Sequence, residues 1–216
     1  MNIPPPDHFE RVQRVFHSAA DDYVEAFMDV SRYHAALNTF LGSLPPRAQV
    51  LEVGCGPGNI TRYLLDQRPD LQILGIDLAA AMVERARQHC PEARFMQQDA
   101  RQVEPSLGLF NGVVCGFLLP YLSEPDAQAF FHTVNRLLAP QGSFYLSTME
   151  DDPAKSGMKA ASSGKYEAIH QQFYQAEQLQ QLLRTAGLRT VHMERASYPD
   201  ARGENVTDLL LLATHA

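Results

Sequence analysis

The chain has 216 residues, of which 45% are hydrophobic and 20% charged, and its formal net charge is −7. These values are typical of one globular domain that buries a sizeable core. The acidic balance argues against general nucleic-acid binding, which requires a basic surface. Cys55, Cys90 and Cys115 lie far apart, which favours free thiols in a cytoplasmic compartment over disulfides or a zinc site. No apolar stretch approaches the roughly 20 residues of a membrane span, and no secretory signal is predicted.

The first part of the chain is predicted to be helical. Apolar side chains recur at helical spacing between residues 8 and 44, which indicates two or three helices. Pro45 and Pro46 end this region because proline breaks a helix. We therefore expect residues 1–44 to form a helical cap on the domain that follows.

From residue 49 onward, short strand-like runs alternate with helical stretches. The predicted strands are residues 49–53, 71–77, 93–96, 110–116, 143–148, 189–195 and 206–214. The predicted helices are residues 60–66, 79–89, 127–138 and 176–186. Alternation of this kind predicts a doubly wound α/β fold, with a mainly parallel sheet and helices on both faces. The short link before the last strand allows the two closing strands to pair in antiparallel.

A polar stretch follows the fifth predicted strand, over residues 150–174. Folds of this class bind ligands at the carboxyl ends of their strands. We therefore interpret residues 150–174 as a loop or lid over that edge. The single domain would span residues 45–216.

The sharpest motif is the run Glu52–Asn59, which has the sequence EVGCGPGN and joins the first strand to the first helix of this domain. Glycines at such a turn allow a tight bend and let a ligand lie against the backbone. The spacing departs from the GxGxxG fingerprint of pyrophosphate-binding loops, because Asn59 stands where its third glycine or alanine belongs. A glycine-rich turn alone indicates only some kind of nucleotide-binding fold.

Two acidic residues sharpen that interpretation. Asp77 ends the second strand, 19 residues after Gly58, where a carboxylate can accept both hydroxyls of a ribose. Asp99 follows the third strand, where its carboxylate could accept from the exocyclic amine of an adenine. The backbone N–H of Ala100 could reach a ring nitrogen of the same base.

Taken in order, these motifs resemble the class I S-adenosylmethionine-dependent methyltransferases. The resemblance covers about residues 45–214. It rests on residues 50–58, 75–78, 99–100, 137–142 and 179–188, together with Met82. In the turn that resembles the family's LLxPGG, Gln141 replaces a glycine. The resemblance implies a seven-stranded sheet whose last strand is inserted antiparallel.

The resemblance also implies S-adenosylmethionine as methyl donor and S-adenosylhomocysteine as product. The residues implied to contact the cofactor are Glu52, Gly54, Cys55, Gly56, Gly58, Asp77, Leu78, Met82, Asp99, Ala100, Cys115 and Gly116. In this arrangement Glu52 lies near the amino group of the methionyl part, Asp77 holds the ribose, and residues 115–117 lie under the methyl. Structural alternatives remain open: Asp77 as a helix N-cap, Met82 as a core residue, and Cys55 and Cys115 as small buried residues.

Methyl transfer from a sulfonium is an in-line displacement, so the protein mainly binds, aligns and excludes water. A general base is optional. The candidate catalytic residues are Tyr121, after the fourth strand, and His170 and Tyr174, which would share a face if their segment is helical. A buried loop aromatic and a surface histidine are the structural alternatives. No spacing typical of metal ligands is present, so no metal is predicted.

The absence of a large substrate domain favours a small-molecule acceptor, with no nucleic-acid or membrane partner. Base-methylating relatives often carry (D/N)PP(Y/F) after the fourth strand, whereas here Leu118 and Leu119 precede Pro120 and Tyr121. Two alternatives from other classes stay open, a nicotinamide-dependent oxidoreductase and a non-catalytic S-adenosylmethionine-binding protein. The acceptor, the methylated atom and the oligomeric state are not determined by the sequence.

Overall fold

The computed structural model describes residues 7–160, 164–200 and 203–216. Residues 1–6 of the predicted cap and 161–163 of the predicted lid lie outside the described residues. The described chain opens with helices α1 (His8–Ser18), α2 (Ala20–Phe27) and α3 (His34–Gly42). This agrees with the helical region predicted from the apolar spacing.

The remainder alternates between strands and helices, as predicted. The strands are β1 (Gln49–Val53), β2 (Gln72–Asp77), β3 (Arg94–Gln97), β4 (Phe110–Gly116), β5 (Leu138–Glu150), β6 (Gly157–Lys159), β7 (Ile169–Gln171), β8 (Leu188–Pro199) and β9 (Asn205–His215). The helices are α4 (Asn59–Gln67), α5 (Ala80–His89), α6 (Glu124–Leu137) and α7 (Ala176–Thr185). None of the helices within the described ranges is long and apolar enough to cross a membrane.

Seven strands form one sheet in the order β3-β2-β1-β4-β5-β9-β8. Strands β1 to β5 pair in parallel, and β9 runs antiparallel to both β5 and β8. The expected sheet with its antiparallel last strand is therefore confirmed. The strand order reverses between β1 and β4, and such a switch point opens a ligand-binding crevice at the carboxyl ends of the strands.

The sheet is buried on both faces, which explains the near-continuous apolar sequence of its central strands. On one face Leu51 and Val53 join a core with α6 and α7. On the other face Val50 packs with residues of α3, α4 and α5. Helix α1 forms a third, smaller cluster, in which Val12 and Val15 pack with Ile169 of β7 and with Tyr121. Its residue Phe9 packs against the core formed with α6 and α7.

Two regions differ from the sequence-based expectation. Strand β5 extends to Glu150 because its last residues pair with the start of β9, a contact between distant segments. Residues 150–174 hold a small antiparallel pair, β6 and β7, which pairs Met158 with His170. The helix that would have put His170 and Tyr174 on one face does not form, because this segment is extended.

Candidate active site

A cleft opens at the carboxyl ends of β1, β2 and β4 and has an empty volume of about 710 Å³, part of it continuous with solvent. Helix α1 and Tyr23 of α2 close it from above. The predicted site residues that line this cleft are Gly54, Gly56, Asp77, Leu78, Met82, Asp99, Ala100, Gly116 and Tyr121. The motifs that the sequence assigns to one nucleotide site therefore converge in space.

The glycine turn lies at the floor of the cleft. Gly56 has φ +51, and a Cβ built there would enter the cleft, where the nearest atom is Cε1 of Tyr23 at 3.8 Å. Gly58 differs, because its Cβ would lie 3.2 Å from Cα of Ala86 and 3.3 Å from Sγ of Cys90. Gly58 thus lets α4 pack against α5 and does not line the cleft, whereas the bare backbone at Gly56 leaves room for a ligand.

Asp77 connects the glycine turn to the start of α5. Its Oδ2 accepts from the backbone N–H of Gly56 at 2.9 Å, and its Oδ1 accepts from that of Ala79 at 2.8 Å. Burial raises the pKa of this carboxyl, and the backbone donors at Ala79 and Gly56 oppose that shift. Each carboxylate oxygen can accept more than one hydrogen bond, so both retain capacity for the hydroxyls of a ligand. Asp77 is not the N-cap of α5, since that position is held by Ala79, but its bond to the Ala79 N–H leaves it free to bind a ligand as well.

The far end of the cleft is formed by Asp99 and its neighbours. The Asp99 carboxylate forms an ion pair with Arg101, with 2.5 Å between Oδ2 and Nη2. The Arg101 guanidinium in turn lies 3.4 Å above the ring centroid of Phe9, on α1. The Leu78 carbonyl accepts from Nε2 of Gln13, also on α1, at 3.2 Å. This end of the cleft therefore also anchors the cap.

Three further residues predicted to contact the cofactor do not line the cleft. Glu52 is 1% exposed, and its carboxylate accepts from the Thr61 hydroxyl of α4. Burial raises the pKa of Glu52 to about 8. Cys55 and Cys115 lie in the two cores, and burial raises the pKa of both thiols. The two cysteines match their alternative interpretation as small buried residues.

Comparison with known proteins shows what parts of this chain are similar to. Residues 50–142 match a family model described as a methyltransferase domain. Trans-aconitate 2-methyltransferase of Enterobacter sp. (strain 638) is 47% identical over 58 residues, which are 27% of this chain and 23% of that protein. The enzyme of the same name from Azoarcus sp. (strain BH72) is 40% identical over 99 residues, 46% of this chain and 38% of that protein. The chain thus spans less than half the length of these curated relatives.

Solved structures share the fold over nearly the whole chain. The 1,6-didemethyltoxoflavin-N1-methyltransferase of Burkholderia thailandensis, solved with its substrate and S-adenosylhomocysteine, has a TM-score of 0.75 at 21% identity and covers 100% of this chain and 93% of its own. Magnesium protoporphyrin IX methyltransferase of Synechocystis PCC 6803, solved with S-adenosylmethionine, has a TM-score of 0.72 at 18% identity, covering 98% and 99%. Residues 50–142 thus resemble a methyltransferase domain, and the whole chain has the fold of these S-adenosylmethionine-dependent methyltransferases.

The structure does not bring the three candidate catalytic residues together. Tyr121 lines the cleft, and burial raises its pKa to about 12. Tyr174 is fully buried in the core formed with α6 and α7. His170 is only 4% exposed and packs edge-on against His8, with 5.8 Å between ring centroids. His170 is thus neither a surface histidine nor part of the cleft wall.

Sequence reasoning missed the aromatic residues that α1 contributes to the cleft, Phe9 and Phe16. Phe16 of α1 lies edge-on to Tyr121 at 5.0 Å and to Tyr23 at 6.0 Å between ring centroids. Phe9 and Phe117 also line the cleft. The signal was present as helical spacing in α1, but spacing does not distinguish a helix face that packs on a core from one that covers a cleft.

Two buried histidines join the cap to the segment that carries β7. Nε2 of His8 donates to the Tyr121 carbonyl at 2.9 Å, while Nδ1 of His8 and Nε2 of His170 are buried with no hydrogen-bond partner among the described residues. Burial lowers the pKa of both imidazoles. Arg101 and Arg11 lower the pKa of His8 further, whereas the Tyr121 carbonyl and Asp126 raise it. Both rings are therefore held in the neutral form.

Acid is expected to loosen this part of the cap. A histidine whose pKa is lower in the folded state contributes stability above its unfolded pKa of about 6.5, and this is lost as pH falls through the folded pKa. Amide exchange in α1 and residues 165–174, corrected for the intrinsic pH effect, should increase several-fold between about pH 7.5 and 5.5. His170→Phe should reduce that increase, whereas His132→Gln, at an exposed histidine of α6, should not. Equal pH dependence in all three proteins would contradict this role.

Proposed function

We propose that the protein transfers the methyl group of S-adenosylmethionine to a small-molecule acceptor. The observation that carries the proposal is the meeting of the open backbone at Gly56, the buried Asp77 carboxylate and the Asp99–Ala100 edge in one cleft. The cleft lies where the strand order of the sheet reverses, which is where doubly wound folds bind nucleotides.

The residues of the cleft fit the parts of the cofactor. The space above Gly56, beside Gly54, would take the methionyl part, because the nearest atom to a Cβ on Gly56 is Cε1 of Tyr23 at 3.8 Å. Asp77 would accept from the ribose hydroxyls with the lone pairs that its backbone donors leave free. Leu78 and Met82 would flank the adenine, and Asp99 with Ala100 would contact its edge. Gly116 and Phe117 would lie beside the methyl group.

S-adenosylmethionine supplies an activated methyl on a sulfonium, so this chain has to bind, orient and exclude water. The aromatic cover formed by Phe16, Tyr23 and Tyr121 supports the exclusion of water from the cleft. The curated trans-aconitate 2-methyltransferases match less than half of this chain, so the proposal does not name trans-aconitate as the acceptor. The three free cysteines among the described residues support a reducing compartment such as the cytoplasm.

Calorimetric titration with S-adenosylhomocysteine, with NADH as control ligand, tests the cofactor assignment. We expect one S-adenosylhomocysteine per chain and no heat from NADH. Binding of NADH without S-adenosylhomocysteine would overturn the proposal in favour of an oxidoreductase. An acceptor screen with radiolabelled methyl donor then separates an enzyme from a non-catalytic binding protein: transfer to a small acceptor supports the proposal, and binding without transfer across the screen contradicts it.

A further inference from the structure

A second buried polar cluster lies at the carboxyl end of β5, beyond the cofactor cleft. Its centre is Asp208 of β9, which is 1% exposed. The Tyr33 hydroxyl donates to Oδ2 of Asp208 at 2.7 Å, whereas Oδ1 is buried and has no hydrogen-bond partner in the described part of the chain. A buried carboxylate oxygen without a donor is rare in folded proteins and calls for a ligand or an ordered partner.

Other polar groups share this face of the sheet. Ser147 of β5 lies opposite Leu210 of β9, two residues from Asp208, and its hydroxyl is buried with no partner in the described ranges. Because alternate residues of a strand share a face, Ser147 and Asp208 are on the same side of the sheet. Burial raises the pKa of Asp208, and the nearby Tyr33 and Tyr198 hydroxyls counter this shift. The cluster is thus a carboxylate among phenols and one serine.

The cluster adjoins the end of the cleft assigned to the methyl group. Phe117 lines the cleft, and its ring centroid lies 5.3 Å from that of Tyr33. The backbone N–H of Phe117 donates to the Ser147 carbonyl at 2.9 Å. A Cβ on Gly116 would lie 3.7 Å from the Ser147 hydroxyl. Gly116, Phe117 and Ser147 therefore connect the two regions directly.

We propose that Asp208, with Tyr33, Tyr198 and Ser147, binds the methyl acceptor and selects one that presents an amine to Oδ1 of Asp208. This rests on the proposed function, which puts the methyl group at Gly116 and Phe117. A carboxylic acid would meet the Asp208 charge in a low-dielectric site, where like charges repel strongly. An ammonium group would gain the missing hydrogen bond, and the neighbouring rings of Tyr33 and Phe117 favour a cation.

A cation near the cluster, Arg32, does not reverse this preference. The Arg32 guanidinium lies 3.5 Å above the ring centroid of Tyr198, and Arg32 is an exposed residue. Solvent screens its charge, and its effect on the pKa of Asp208 ranks below those of burial and the two tyrosines. The buried Asp208 carboxylate therefore determines that the cluster favours a positively charged ligand.

The test uses the full chain saturated with S-adenosylhomocysteine and a panel of matched probes, with benzylamine and benzoate as the first pair. Calorimetry at millimolar probe concentrations should detect amines and not the corresponding acids. Asp208→Asn should weaken amine binding at least tenfold, and Tyr33→Phe should weaken it less. Both variants should keep the dissociation constant of S-adenosylhomocysteine within twofold. Glu104→Gln, at an exposed carboxylate away from both sites, should change neither value.

The outcomes separate the two proposals. Failure of the unmodified protein to bind S-adenosylhomocysteine would overturn the proposed function and with it this assignment. Normal S-adenosylhomocysteine binding with acids preferred over amines, or with no amine bound, would overturn the acceptor assignment alone. So would amine binding that Asp208→Asn leaves unchanged. Should Asp208→Asn fail to fold, unchanged amine binding by Tyr33→Phe would count against the site in the same way.

Discussion

Replacement of Gly56 by valine is expected to weaken S-adenosylhomocysteine binding at least about 100-fold, which corresponds to about 2.7 kcal/mol. The reason is steric: the new side chain would fill the space above the glycine turn, where the nearest atom to a Cβ is Cε1 of Tyr23 at 3.8 Å. The substitution also puts a β-branched residue at φ +51, which strains the backbone by about 1–2 kcal/mol. Calorimetric titration measures the loss of binding.

A matched control separates blocked binding from backbone strain. Gly108 has φ +102 and does not line the cleft, and a Cβ at this position would have no neighbouring atom within 4 Å. Gly108→Val should therefore lower the thermal unfolding temperature, as Gly56→Val does, and leave the affinity unchanged. Near-normal affinity in Gly56→Val would show that the glycine turn does not contact the cofactor.

Replacement of Asp77 by alanine is expected to weaken S-adenosylhomocysteine binding by about 1–3 kcal/mol, or roughly 5- to 150-fold in the dissociation constant. The ribose hydroxyls would lose their acceptor in a closed site. The backbone N–H groups of Gly56 and Ala79 would lose theirs as well, so the free energy of unfolding should also fall.

Calorimetry and urea unfolding measure the two effects of Asp77→Ala. Asp70→Ala is the control, because Asp70 pairs with Arg68 at 2.7 Å and does not line the cleft. We expect that variant to bind S-adenosylhomocysteine normally. An unchanged dissociation constant in Asp77→Ala would remove Asp77 from the binding site.

The fold could be predicted from the sequence because its strongest signals are local. The β-branched runs located β1 and β4 to the residue, and the glycine turn located the start of α4 within one residue. The two ends of β5 and the last residues of β8 could not be predicted in this way. They depend on pairing between segments far apart in the chain, such as Glu150 with Thr207 and Pro199 with Asn205.

The residues that line the cleft could be predicted where a motif determines the backbone conformation. They could be predicted less well where the direction of a side chain determines whether it reaches the cleft. Gly56 and Asp77 line the cleft, as expected, because a turn at the carboxyl end of a strand faces the crevice. Glu52 and Cys115 sit in strands whose successive residues face opposite sides, and the sequence does not say which side meets the cleft. The position of His170 was not predictable because the pairing of β6 with β7 is not visible in the local sequence.

The attachment of the first helices to later parts of the chain has a consequence for synthesis. Helices α1 and α2 are synthesised well before these partners: His8 bonds to Tyr121, Arg14 to Glu167 and Asp22 to Lys165. The apolar side of α1, with Val12 and Val15, stays uncovered until β7 has been made. The nascent chain therefore carries an exposed amphipathic helix until β7 has been synthesised, and exposed apolar surface of this kind promotes aggregation.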